Sequence, residues 1–177
     1  MALNYISSVD FIDQDIKCML EIEVTPDYRE KLSIFELNDE PRTTLKSLGT
    51  LPEGKVVEIG VFRKKIFNVL KELYGEENCF GVDFYPYEDD PNIVIGDWRT
   101  IHTDYNMDVA LFFNGMGSWL NNKTTKQAGL DYAVNNLVTG GFYIDSQFMM
   151  ELNEPIIHES LALHTASGPM FRIYQKQ

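Results

Sequence analysis

Five residues in this chain close short apolar runs: Gly60, Asp83, Asp97, Asn114 and Asp145. Three carry carboxylates, which accept from hydroxyls, and one an amide, which both accepts and donates. Asp83 follows Gly60 at about the 20-residue offset at which a carboxylate reaches ribose hydroxyls in nucleotide-binding βαβ units. A carboxylate suits a ribose diol because its two oxygens accept from adjacent hydroxyls. A strand-end acid taken alone can equally be solvated or cap the next helix; it is Gly60 and Asp83 together that favour a ligand. His102, His158 and His164 are not spaced as a metal set. His102 follows the third apolar run and is a candidate general base. Cys18 and Cys79 make neither a disulfide framework nor a zinc set, which predicts a reducing, cytoplasmic location.

These residues need elements to bring them to one edge. Lys55–Ile59 reads as a short apolar strand ending at Gly60, and Phe62, Ile66, Val69/Leu70 and Leu73 then recur at helical spacing up to Gly75. Cys79–Asp83, Asn92–Ile95 and Asp108–Phe113 read as further strands. Lys123–Leu137 reads as a helix, and Gly141–Ile144 as a fifth strand after the Thr139-Gly140-Gly141 turn. Strands alternating with crossovers predict a mostly parallel sheet covered on both faces. Ile156–His164 and Met170–Tyr174 are strand-like runs joined by a link so short that it allows a hairpin and no parallel crossover. Ligands of an open α/β sheet bind beyond the C-terminal strand ends, where the five residues above would converge.

Composition bounds the partners. The chain has 177 residues, with 15 Lys+Arg against 27 Asp+Glu for a net charge of −12. Such acidity argues against broad binding to nucleic acid or anionic membrane, which needs a basic face. The longest wholly apolar run, Val109 to Phe113, is far short of a membrane span, and Met1 to Asp10 has no signal-peptide pattern. Much of the charge lies within residues 1–40, whereas 41–75 turns mildly basic. The turn-rich Leu48–Gly54 is the best internal break. It divides an N-terminal acidic appendage, residues 1–50, helical or extended, from an α/β core at 51–177. The appendage reads as a solvated layer, or as a cleft cap or a contact in a homo-oligomer.

The motifs of the core, taken in order, carry a resemblance. Val57-Glu58-Ile59-Gly60-Val61-Phe62-Arg63 resembles the first motif of class I S-adenosylmethionine-dependent methyltransferases. Phe80-Gly81-Val82-Asp83 resembles their second-strand acidic motif, and Val94-Ile95-Gly96-Asp97-Trp98 their third-strand end. Asp108–Gly115 is similar to the fourth strand, Gly140–Asp145 to the fifth, and the closing hairpin to the reversed last strand. The resemblance implies a Rossmann-like fold with a mostly parallel seven-stranded sheet and a terminal antiparallel hairpin. It implies S-adenosylmethionine as cofactor, with Glu58 and Gly60 flanking the methionine part and Val61 and Phe62 in the same turn. Asp83 would hold the ribose, Phe84 would pack on the adenine, and Asp97 would accept from its amino group. Trp98 would form a neighbouring wall, and Asn114 would close the site at the fourth strand end.

The chain departs from the family in the glycine-rich turn, where only Gly60 remains. Phe62, Arg63 and Lys64 occupy positions of small residues, and Lys64 stands where a common form of the motif ends in glycine. A side chain there either crowds the methionine moiety or points outward. The metal-dependent O-methyltransferase subgroup takes Mg²⁺ on an Asp-Gly and an Asp-Asn pair; here those pairs read Asn114-Gly115 and Asp145-Ser146. A hard dication prefers several charged oxygens, so no metal is expected. The expected activity is methyl transfer to a small-molecule acceptor, a displacement that mainly needs positioning. His102, Asn114 and Asp145 are the catalytic candidates. The alternative, favoured by Phe62-Arg63-Lys64, is a non-catalytic binding or assembly protein on the same fold that has lost the cofactor.

Overall fold

Apolar runs bounded by turns form the strands, and burial on both sides explains why the runs are nearly continuous. The first, β1 at Lys55–Ile59, buries every side chain except that of Lys55. The computed structural model describes residues 40–61, 64–83, 90–95, 108–114, 123–146, 158–165 and 171–177. Helix α1 (Glu40–Ser47) precedes β1. Helix α2 (Lys65–Tyr74) and a 3-10 turn lead to β2 (Cys79–Asp83), followed by β3 (Ile93–Ile95) and β4 (Val109–Asn114). Helix α3 (Lys123–Asn136) then leads into β5 (Leu137–Ser146), β6 (Leu161–Leu163) and β7 (Phe171–Lys176).

The strands form one seven-stranded sheet in the order β3-β2-β1-β4-β5-β7-β6. Pairing is parallel from β3 through to β5, and β7 runs antiparallel to both β5 and β6. This is the architecture expected from the sequence: a mostly parallel sheet with a terminal antiparallel pair. Its order reverses beside β1, which puts the topological switch point between β1 and β4.

Alternate residues of each strand feed two cores. Val56, Leu111, Phe113, Phe142 and Ile144 face α1 and α2, where they meet Leu45, Leu48, Phe67 and Leu70. Val57, Ile59, Phe112, Tyr143 and Tyr174 face α3, where they meet Leu130, Ala133 and Val134. Arg42 on α1 donates to both carboxylate oxygens of Glu72 on α2, which binds the two helices side by side. Among the described residues no helix is long and apolar enough to cross a membrane.

The ends of several elements differ from the sequence expectation. Helix α3 stops at Asn136 and β5 begins at once at Leu137. The expected Thr139-Gly140-Gly141 turn lies inside β5, where the register against β4 jumps from Val109↔Leu137 to Leu111↔Phe142. A cation ends the helix: the Lys176 ammonium donates to the Val134 and Leu137 carbonyls at 2.8 and 2.7 Å. A positive charge at orphan C-terminal carbonyls is favourable. Asn92 belongs to a turn, so β3 starts one residue later than expected, and β4 extends through Asn114. Strand β6 covers only Leu161–Leu163, and β7 continues to Lys176.

Candidate functional site

Strand β1 delivers two residues to its C-terminal end. Glu58 is 1 % exposed, and its Oε2 has no hydrogen-bond partner among the described residues. Burial first, and the charge of Asp83 second, push the Glu58 carboxyl well above the ordinary carboxyl range. Gly60 turns the chain with φ of 76°, a left-handed conformation that leaves no side chain over the backbone. Its N–H donates to the Val82 carbonyl at 2.9 Å, fastening the turn to β2. Val61 is buried in the α2-side core, and its carbonyl accepts from the Lys64 N–H at 3.0 Å.

Asp83 ends β2 and is 5 % exposed. The register Glu58↔Gly81 puts Glu58 and Asp83 on one face of the sheet, the face covered by α2. Between them Gly81 offers no side chain, and a Cβ there would fall 2.6 Å from Val61 Cγ2. Two nearly buried carboxyls beside a glycine turn suit a ligand that brings hydrogen-bond donors or positive charge.

Asn114 ends β4, in direct register with Asp145, the penultimate residue of β5. The register Ile59↔Asn114 places them on the opposite face, the one covered by α3. Asn114 Nδ2 donates to the Tyr143 hydroxyl at 2.6 Å. Burial, then the charge of Asp145, raise the Tyr143 phenol well above its ordinary value. Asp145 is 8 % exposed and lies opposite Arg172 of β7. Of the five strand-end residues expected to converge, Asp83 shares one face with Glu58, while Asn114 and Asp145 share the other. Phe62, Phe84, Asp97, Trp98 and His102 lie outside the described residues.

Lys64 has φ of 58° and precedes α2, a left-handed conformation that glycine would adopt without strain. Its ammonium is 3.5 Å from Asp90, beside Lys71 on the flank of α2. Sequence reasoning passed over Asp90, Lys71 and Tyr143. Tyr143 had a usable signal, since it precedes Asp145 by two positions and therefore shares its face. Among the described residues no cluster of His, Cys, Asp and Glu is grouped to hold a metal.

Three solved structures share this fold over most of the chain. A SAM-dependent methyltransferase from Aquifex aeolicus aligns with a TM-score of 0.52 and 13% identity, over 76% of this chain and 88% of its own. The MycE methyltransferase of the mycinamycin biosynthetic pathway, solved with Mg and SAH, aligns with a TM-score of 0.52 and 13% identity. The chain has the class I methyltransferase fold. The MycE match covers 86% of this chain and 49% of MycE. An rRNA methylase from Streptococcus thermophilus has the same methyltransferase fold at a TM-score of 0.51 and 8% identity, over 78% of this chain and 95% of its own. The chain spans about half the length of MycE and under two-thirds of several other methyltransferases that it matches. No protein-family model and no curated protein matches the sequence. At these identities the likeness fixes the methyltransferase fold, and the chemistry must be argued from the residues.

Proposed function

We propose that this chain binds S-adenosylmethionine at the C-terminal ends of β1 and β2 and methylates a small-molecule acceptor. The observation that carries the reading is Glu58, a carboxyl beside Asp83 buried to 1 % exposure, with an oxygen unpartnered among the described residues. A ligand with an amine and a hydroxyl pair satisfies such a site, because each group donates to a waiting carboxylate. Glu58 and the Gly60 turn would flank the methionine part, and Asp83 would accept from the ribose. The bound sulfonium supplies an electrophilic methyl group. Phe62 would belong to the same turn, with Phe84, Asp97 and Trp98 around the adenine, a placement that rests on the resemblance alone.

Asn114 and Asp145 are the acceptor-side candidates, because they occupy the neighbouring strand ends. Tyr143 orients Asn114 through the 2.6 Å bond, so the amide presents a fixed group to an acceptor. His102 remains a candidate base by its position in the sequence. The small-molecule class follows from the net charge of −12, which disfavours a polyanionic acceptor. The cysteine count supports a cytoplasmic setting.

Calorimetric titration with S-adenosylmethionine and S-adenosylhomocysteine tests the reading. Saturable heat with either ligand is the expected result. No heat at millimolar ligand would sink it and favour the second reading, a non-catalytic binding or assembly protein on this fold. Phe62-Arg63-Lys64, at positions where the resemblance puts small residues, is the feature that speaks for that second reading.

A further inference from the structure

Among the described residues Lys64 is the one non-glycine with positive φ, at 58°, a conformation unfavourable to any residue with a Cβ. Its backbone is tied on both sides. The N–H donates to the Val61 carbonyl at 3.0 Å, and the carbonyl accepts from the Asn68 N–H at 2.8 Å. The side chain makes no capping bond to α2. It reaches instead to Asp90, with Nζ 3.5 Å from Oδ2 and side-chain exposures of 19% and 8%.

Asp90 is a junction. Its carboxylate accepts from the Lys71 ammonium at 2.9 and 3.1 Å, and from the Asn92 N–H at 3.2 Å. Its carbonyl accepts from the Ile93 N–H at 3.1 Å, and the Asn92 carbonyl accepts from the Gly81 N–H at 2.9 Å. One carboxylate therefore holds the last turn of α2, the start of β3 and, through Asn92, the middle of β2. Lys71 divides its charge between Asp90 and Glu76, to which it also donates at 3.1 Å, and Lys64 is the second ammonium beside Asp90. What Lys64 adds is a connection between Asp90 and the turn that follows Gly60.

We propose that Lys64 is a positioning residue which, through Asp90, ties the start of α2 to the β2–β3 edge and so supports the spacing between Gly60 and Asp83 that the Gly60 N–H bond to the Val82 carbonyl sets. The proposal rests on the reading of that edge as the S-adenosylmethionine site. A glycine at position 64 would adopt the same backbone conformation without strain, yet it would lose the connection. On this account the lysine does not obstruct the pocket; it replaces the freedom of a glycine with a fixed distance.

The test uses Lys64→Gly, Lys64→Arg and Asp90→Asn in the full chain, with S-adenosylhomocysteine affinity and amide hydrogen exchange of Asn92 and Ile93 as readouts. Lys64→Gly is expected to weaken binding about fivefold, as for loss of a partly exposed ion pair. Exchange at Asn92 and Ile93 should quicken in Lys64→Gly and in Asp90→Asn, and Lys64→Arg should restore both readouts. Combining Lys64→Gly with Asp90→Asn should add nothing to Asp90→Asn alone. Equal or tighter binding by Lys64→Gly would overturn the proposal and mark the lysine as an obstruction. Unchanged exchange in Lys64→Gly would overturn it independently of any ligand. If the wild-type chain binds neither ligand, it is the cofactor reading that falls, and exchange alone decides whether Lys64 sets the edge.

Discussion

A buried carboxyl with an oxygen lacking a partner is destabilising unless it keeps its proton or meets a ligand. Glu58 is in that position, with burial first and the Asp83 charge second raising its pKa. The folded chain thus holds this proton to higher pH than the unfolded chain, where glutamate titrates at about 4.3. The stability tied to Glu58 is fully present below about pH 4.3 and is lost as pH rises through the folded-state value. Glu58→Gln is a permanent stand-in for the protonated form. It should match the wild type near about pH 4 and be more stable by about 1–3 kcal/mol at about pH 8. Urea unfolding of ligand-free protein at the two pH values measures this, and equal stabilities at both would show that the carboxylate has a partner. The neighbouring Asp83 is predicted to act on the ligand. Asp83→Ala should weaken S-adenosylhomocysteine binding by about 1.5–3 kcal/mol, the value of a hydrogen bond to a charged group. An unchanged dissociation constant would mean that the ribose is held elsewhere.

Elements place these residues, and two contacts make the placement testable. Gly81 lies where β2 passes under the turn into α2, and a Cβ there would meet Val61, Ile93 and Phe67 side chains at 2.6, 3.2 and 3.3 Å. Gly81→Ala should cost about 1–3 kcal/mol by overpacking, read as a lower unfolding midpoint with an unchanged denaturant slope. Lys176 of β7 ends α3 from a strand remote in sequence, and Lys176→Met should cost about 1–3 kcal/mol by leaving the Val134 and Leu137 carbonyls without their charged donor. No loss in Lys176→Met would show that water replaces it. Strands were legible because two-sided burial writes them as apolar runs, as at Val109–Phe113. The end of α3 was not, because its cap comes from a residue remote in sequence. The division of the strand ends between faces was hidden for a related reason. Alternation along one strand says which residues share a face, but the register that relates Glu58 to Gly81 and Ile59 to Asn114 exists only between strands. Lys64 and Asp90 are likewise joined only once α2 lies against the β2–β3 edge.

At the scale of the molecule the question is which acceptors the surface admits, and the fold does not answer it. The same fold serves an rRNA methylase at 8% identity, so charge must decide. The sequence has 27 acids against 15 basic residues, and its mildly basic stretch is residues 41–75. In the folded chain cations of that stretch are engaged internally: Arg42 by Glu72, Lys71 by Asp90 and Glu76, and Lys64 by Asp90. Those pairs leave less positive charge for a phosphate backbone, whose affinity comes from releasing condensed counterions. The chain should therefore form no complex with structured RNA in a gel-shift titration at about 0.15 M salt, at concentrations where basic proteins bind non-specifically with dissociation constants of about 1–100 μM. Adding S-adenosylhomocysteine should not change that result, because filling a pocket at β1 and β2 creates no basic face. A micromolar complex that weakens steeply with added salt would contradict the small-molecule reading, and its salt slope would count the phosphates contacted.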